Sequence, residues 1–287
     1  MLLILSANSL AKRLKAASGG LDLLDLPRFT REELGLFGLH IHTAILAGRP
    51  ASQIDRFRDQ ADKNACPCLV LEESDPQPIA GEDDEAEAGI ERMLRVLEVG
   101  HRLGCNAVAF RLAARDTEAV FQDAVDNTKR LLERADRLEI NLLMAPHTGL
   151  TSKPDRLTSL IKKIGGFRIG TLPDFQNAAA GGAGPVDALR RLTPYASAVI
   201  ASTIAFDAAG KHEGYDLEAA LTAIEAVGFE GALAVDYRGK GDPVEGLRKS
   251  RVAIERVIGG GPEEDEGDDD LALGADAPEV PEETIDE

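Results

Sequence analysis

Three cysteines are all that 287 residues contain, and no two of them form a CxxC pair. That excludes a disulfide framework, and Cys66, Cys68 and Cys105 read as reduced packing residues of a reducing compartment. Long apolar runs are missing too. The opening stretch MLLILSANSLAKRLK has one short hydrophobic segment and no charged region ahead of it. It is too short for a secretory signal and far too short to span a bilayer, so the expectation is a β-strand in a cytoplasmic protein with no membrane partner. A basic stripe is the third absence. The formal charge of -18 comes mostly from residues 263–287, which hold 13 Asp and Glu and no Lys or Arg, and without them the charge is -5. A net negative body repels phosphates, so nucleic acid is not an expected partner. Nothing in the sequence fixes an oligomeric state.

What is present is alternation. Short apolar runs trade places with helical patterns along the chain, the signature of a parallel sheet with crossover helices. Strands are expected at 2–6, 38–42, 67–72, 107–111, 140–145, 168–174, 198–202 and 232–237. Eight strands close a (β/α)8 barrel, the TIM barrel of the α/β class, and residues 1–260 match the roughly 250 residues that such a domain takes. DTEAVFQDAVDNTKRLLERADRL places Val120, Ala124, Leu131, Ala135 and Leu138 on one helical stripe. YDLEAALTAIEAVG starts at a cap, Asp216, and stops at Gly228. Pro185 suits the first turn of a helix. His101, among Ile90, Leu94 and Leu97, is expected to be a hydrogen-bonded core histidine. AAAGGAG at 178–184 lacks GxGxxG spacing and reads as a flexible loop. Residues 261–287 have too few apolar side chains to offset the entropy of ordering, and are expected to form a disordered acidic tail.

In barrels of this kind, chemistry sits at the C-terminal ends of the strands. The endings GLHIHT, AFRLA, MAPHTG, GTLPDFQN, IASTIAFD and AVDYRG supply His40, His42, Arg111, His147, Asp174, Asn177, Ser202, Asp236 and Arg238. His40 and His42 alternate with Ile41 and point the same way. With His147 they form either a nitrogen-rich set suited to Zn²⁺ or hydrogen-bonded packing. Asp174 and Asp236 lie on alternate strands and face each other across one barrel layer. That is a weak Mg²⁺ site, or, with Arg238 on the face of Asp236, an ion pair. Asp174 also reads as a cap for the segment after Pro173. Arg111 is expected to pair with an acid across the barrel.

These strings carry a resemblance. Over residues 2–258 the chain resembles the xylose isomerase-like family of barrels, the sugar (phosphate) isomerases and epimerases. The clearest stretches are HTGLTSKPDRLTSLIKKIGGFRIGTLPDFQN, LTPYASAVIASTIAFDAAGKHEGYD and GFEGALAVDYRGKGDPVEGLRKSRVAIERV, with LDLLDLPRFTREELGLFGLHI and GHRLGCNAVAFR earlier. The resemblance implies a divalent metal, Mn²⁺ or Mg²⁺, on carboxylates from several strand ends, with Asp174 and Asp236 as ligands. It implies Asp236 as the proton-transfer group, and Asp174 and His147 as positioning groups. His40, His42, Arg111, Asn177 and Arg238 would contact a small sugar or sugar-acid ligand. The sequence departs from the family where this matters. The strand-5 glutamate falls on Ala145, followed by Pro146 and His147, and the strand-7 lysine falls on Ser202. The strand-8 glutamate falls on Asp236, and an acidic position after it falls on Arg238. The strand-2 glutamate falls on His40, and the strand-4 Arg and Asn fall on Ala109 and Arg111. Two readings stay open. One is a sugar isomerase or epimerase. The other is a relative with a degenerate metal site, not catalytic, that binds an anionic sugar through its added cations or binds a protein partner. A DNA-repair endonuclease reading, which shares the fold, fares worse, because that chemistry needs a dense multi-zinc cluster that five histidines so placed do not supply.

Overall fold

The computed structural model describes residues 1–15, 20–81, 83–181 and 185–259. The acidic tail expected at 261–287 lies outside them. Eight parallel strands are formed: β1 (Leu2–Ser6), β2 (Leu39–His42), β3 (Cys68–Glu72), β4 (Ala107–Arg111), β5 (Asn141–Ala145), β6 (Ile169–Thr171), β7 (Ala198–Thr203) and β8 (Ala232–Tyr237). Their order is β6-β5-β4-β3-β2-β1-β8-β7. The two edges meet through parallel bridges, Thr171 with Ala196 and Asp174 with Ile200, and the Ile200 N–H donates to the Pro173 carbonyl at 2.8 Å. The sheet therefore closes into the (β/α)8 barrel expected from the alternation.

Most strand ends stand within a residue or so of expectation, which is the usual scatter of such boundaries. β6 is the exception. It stops at Thr171 rather than 174, because Pro173 has no N–H to continue the ladder. The chain turns there, and Asp174 becomes the N-cap of a short helix, Phe175–Ala180. That helix takes up the first part of the alanine–glycine run expected as a loop. Residues 182–184 of the run are outside the described residues.

Period-2 alternation sorts the strand residues. Ile4, Val70, Ala107, Ala109, Leu143, Ala145, Leu172, Ala198, Ile200 and Ala234 form the plug inside the barrel. Their neighbours Leu5, Ile41, Leu71, Val108, Phe110, Leu142, Met144, Val199 and Val235 face the helices. The plug is rich in alanine because inward side chains must fit a barrel interior only wide enough to be filled.

Two of the surrounding helices are α1 (Asp84–Leu103) and α2 (Glu118–Arg137). The Asp83 carboxylate caps α1 by accepting from the Ala86 N–H at 2.9 Å, and Gly104 ends it at φ 77°. On α2, Ala124, Leu131 and Ala135 are buried as the stripe predicts, and Val120 is half-buried. Asp216 caps the helix Leu217–Glu225, again through its carboxylate. His101 differs from expectation. The buried face of α1 runs through Ile90, Met93, Leu97 and Gly100, with Gly100 against Val108, so His101 is turned outward and exposed. Cys66, Cys68 and Cys105 are all buried, and burial pushes the Cys66 and Cys105 thiols up to about 12 and raises Cys68 well above its usual value. They pack as neutral thiols. Among the described residues, no helix is long and apolar enough to cross a membrane.

The β6–β7 seam makes the first prediction. A methyl group at Gly170 would collide with the Tyr195 backbone carbonyl, which cannot swing away. Gly170→Ala should therefore lower stability by about 1–3 kcal/mol, the cost of overpacking. Urea unfolding checks it: the midpoint should fall at unchanged slope.

Candidate functional site

The plug dictates which side chains reach the mouth. Two residues beyond Ile4, Val70, Ala109, Ile200 and Ala234, on the same inward face, stand Ser6, Glu72, Arg111, Ser202 and Asp236. On β2 both inward residues are histidines, His40 and His42. The barrel is thus apolar in its middle and ends in a ring of polar groups, most of them buried.

The ring divides into two groups. In the first, Arg238 reaches across the β6–β7 seam. Its Nε donates to Asp236 Oδ2 at 2.7 Å, its Nη2 donates to Asp174 Oδ2, and its Nη1 donates to Gln176 Oε1 at 3.2 Å. The other carboxylate oxygens are also taken. Asp174 Oδ1 accepts from Ser202 Oγ at 2.9 Å and from the Asn177 N–H at 2.9 Å, and Asp236 Oδ1 accepts from Ser9 Oγ at 2.7 Å. Asp174 and Asp236, read from the sequence as metal ligands, share a guanidinium between them. Burial works against the Arg238 charge, but the two carboxylates outweigh it and hold the group protonated. Tyr215 closes this side by donating its hydroxyl to the Ser202 carbonyl.

The second group is His40, His42 and Glu72. One ligand-type atom from each lies within 4.8 Å of the others. Glu72 Oε2 is 3.0 Å from His40 Nε2 and 3.7 Å from His42 Nε2. The rings lie 4.8 Å apart, tilted by 41°. Register brings the three together, since His42 stands opposite Glu72 across β2 and β3. The 3.0 Å approach lies off the axis of an N–H donor. Both His40 nitrogens, Glu72 Oε2 and Arg111 Nε are buried without a hydrogen-bond partner. His212 makes the contrast: its Nε2 accepts from the Ile204 N–H at 3.1 Å, and its Nδ1 donates to the Tyr215 carbonyl at 3.1 Å.

Burial, reinforced by His40, lowers His42 to about 4, although Glu72 and Asp236 pull the other way. Burial pushes Glu72 up, but His40, His42 and Arg111 outweigh it and bring it to about 2. At neutral pH the group is therefore an ionised carboxylate beside a neutral imidazole. Arg111 stands 3.8 Å from Glu72 Oε1 and donates to the Ser74 carbonyl. Its acid is on the neighbouring strand, not across the barrel as expected.

The remaining expected residues lie apart. His147, half-buried past the end of β5, donates its backbone N–H to Thr151 Oγ1 at 3.1 Å, and its ring lies 3.4 Å from Thr148 Oγ1. Burial, with Arg111 nearby, lowers its pKa. The nitrogen-rich set expected of His40, His42 and His147 therefore forms with Glu72 in place of His147. Asn177 is exposed and lines a cavity of about 600 Å³ with Pro146, Asp174, Lys153 and Arg191. A second groove, of about 850 Å³, lies outside the mouth beside Glu73. Glu73 is buried, holds Arg92 at 2.7 Å and 2.8 Å, and accepts from Thr43 Oγ1 at 3.1 Å.

Glu72, Ser9, Gln176 and Tyr215 were not among the residues expected from the sequence. For Glu72 the signal exists: it stands two residues after Val70 in CLVLE, in phase with the plug.

The chain matches a family model described as xylose isomerase-like TIM barrel over residues 32–256. It belongs to that family. No curated protein matches this xylose isomerase-like barrel significantly. Solved structures share its fold. L-ribulose 3-epimerase is 14% identical with a TM-score of 0.73, covering 90% of this chain and 95% of its own. The 3-keto-D-glucoside 4-epimerase YcjR of E. coli is 15% identical with a TM-score of 0.71, covering 89% and 99%. The IolI protein, solved with a bound zinc atom, is 15% identical with a TM-score of 0.69, covering 90% and 98%.

Two predictions follow from the geometry. Arg238→Met strands two buried carboxylates. It should cost about 3 kcal/mol, the low end for orphaning a buried ion pair because the Arg238 side chain is 30% exposed. Adding Asp174→Asn to that variant should restore part of the loss in the same unfolding experiment. The second prediction concerns acid. His42 and Glu72 both have folded pKa values below their ordinary values of 6.5 and 4.5. Their contributions to stability are complete above those values and are lost as pH falls toward about 4 and about 2 respectively. A His42→Gln variant should flatten the stability curve between about pH 6.5 and 4 and leave the steeper acid limb of the carboxylates in place. An unchanged slope in that window would rule out a neutral, half-buried His42.

Proposed function

We propose that the barrel mouth binds a small sugar derivative, recognised through its hydroxyls, and that Asp236 and Asp174 hold the mouth together rather than move protons. The observation that carries this reading is the Asp174–Arg238–Asp236 triad. A general base needs a lone pair aimed at the substrate and a pKa near the working pH. Here the two carboxylates accept from a guanidinium, hydroxyls and a backbone N–H, which takes up an acceptor site on every oxygen. The same triad bears on the hard metal that the family resemblance implies. Ala145 offers no oxygen where a carboxylate ligand is expected, and Arg238 occupies the space between the other two acids. An all-oxygen cage for Mg²⁺ or Mn²⁺ does not fit these residues.

Charge also bears on the ligand. Arg111 and Arg238, expected from the sequence to attract an anionic sugar, face three buried or nearly buried acids, Glu72, Asp174 and Asp236. Each of the three guanidinium nitrogens of Arg238 already donates to a neighbour, two of them to carboxylates. A neutral polyol needs no free cation, and alternating donors and acceptors suit its hydroxyls. The likeness to proteins named as sugar epimerases supports the ligand class. A second reading, isomerisation or epimerisation of the bound sugar, is favoured by Glu72, whose ionised carboxylate keeps one oxygen without a hydrogen-bond partner.

Thermal unfolding in the presence of neutral aldoses and ketoses, sugar acids and sugar phosphates tests the proposal. A neutral sugar at ten times its Kd adds about 1.4 kcal/mol, a rise in Tm of about 3–5 °C for a domain of this size. Stabilisation by acids or phosphates alone would move the reading to an anionic ligand, and no stabilisation by any sugar would overturn it. Turnover of the stabilising sugar, lost in Glu72→Gln, would establish the second reading.

A further inference from the structure

We propose that His40, His42 and Glu72 hold a divalent cation of the zinc type, with one coordination position open to the barrel mouth. The argument begins with donor chemistry. Two imidazoles and one carboxylate form a borderline-soft set that Zn²⁺ takes readily, and that Mg²⁺ and Ca²⁺, which want oxygens, do not. Spacing agrees. Ligands at about 2.0–2.1 Å from a tetrahedral zinc stand about 3.3 Å from one another. The two nitrogen–oxygen separations here are 3.0 Å and 3.7 Å, on either side of that value, with all donor atoms inside 4.8 Å.

Unmet polar capacity is the independent observation. His40 is 1% exposed and neither of its ring nitrogens has a hydrogen-bond partner, and Glu72 Oε2, aimed at both rings, has none. Buried polar atoms without partners are costly, so His40 Nε2 and Glu72 Oε2, 3.0 Å apart, call for something that satisfies both. A histidine–glutamate hydrogen bond does not, because its axis is wrong. A cation within reach of one atom from each residue satisfies Glu72 Oε2 and one nitrogen of each ring at once.

The surroundings suit such an ion. Consecutive inward positions of one strand fix the two rings relative to each other, and the next strand supplies the carboxylate in register. Arg111 lies 3.8 Å from the other Glu72 oxygen, where it orients the carboxylate as an outer-shell partner. Three protein ligands leave a fourth position, which is how catalytic rather than structural zinc sites are built. Without a cation, the mouth's three acids outnumber its two arginines by one charge. With one, the balance becomes positive, and a hydroxyl or carbonyl oxygen entering the fourth position is polarised by a Lewis acid. This site lies on β2 and β3, away from the triad on β6 and β8. The proposal stands without the sugar-binding reading, since its test uses metal alone.

The full-length chain, stripped with a chelator, is titrated with Zn²⁺ in a calorimeter and with Co²⁺ in a spectrophotometer. One equivalent of Co²⁺ should give the intense visible absorption of four-coordinate cobalt, Zn²⁺ should displace it, and millimolar Mg²⁺ should give neither heat nor competition. His42→Ala and Glu72→Gln should each weaken Zn²⁺ by at least about 100-fold, beyond the ~10–100-fold that losing an outer-shell partner costs. Asp174→Asn should leave the affinity unchanged. His42→Cys, which keeps a ligand at the position, should retain the cobalt spectrum and add a thiolate band, which separates loss of a ligand from loss of the fold. Absence of the spectrum in the unaltered protein would overturn the proposal. So would zinc binding that His42→Ala and Glu72→Gln leave intact, because that binding would belong to other acids such as those of residues 263–287.

Discussion

Closing eight strands into a ring leaves an interior that alternate side chains must fill, and no more than that. Every other residue of every strand is committed to the inside before its chemistry is considered. In this protein the inside is met with alanine at Ala107, Ala109, Ala145, Ala198 and Ala234, and with branched residues at Ile4, Val70, Leu143, Leu172 and Ile200. The mouth inherits the same phase. His42, Glu72, Arg111, Ser202 and Asp236 are inward because the residues two before them are, so the polar ring is a continuation of the core packing into the last layer. Moving any strand by one residue would empty the ring and bury the helix-facing residues in its place.

That inheritance concentrates charge where solvent is scarce, and the protein answers with two solutions. Around Arg238 every acidic oxygen has a donor, and the guanidinium's planar fork spans strands that are not neighbours in the ladder. Around Glu72 the donors are incomplete. The first arrangement resembles a structural clamp and the second a site awaiting a partner. Both lie at the end of the barrel where this fold keeps its chemistry, which is why position alone does not assign roles here.

The fold was legible in the sequence because its signals are local. Apolar runs of strand length, a cap at Asp216, a glycine stop at Gly228 and a proline at the start of a helix each act over a few residues. The candidate site was legible in part. The common face of His40 and His42, and that of Asp236 and Arg238, follow from spacing along one strand. The partners across strands do not. His42 meets Glu72 through the register of β2 on β3, and Arg238 meets Asp174 through closure of the seam. His101 failed for a related reason. The helix rides on Gly100, whose missing side chain lets it approach Val108, and an apolar stripe drawn from larger residues misplaces its centre.

Glu72 and Glu73 are neighbours in the chain, both buried, and they point to opposite sides of the sheet. One meets Arg111 from the next strand, and the other meets Arg92 from the helix between those strands. A strand end that buries two successive charges cannot dock halfway. Until both the helix and the next strand are in place, at least one carboxylate would sit in a dehydrated setting without its cation, at a cost of several kcal/mol. Partly docked forms of this βαβ unit are thereby disfavoured relative to the complete one. The pair acts as a checkpoint on cooperativity, written into two adjacent letters of the sequence.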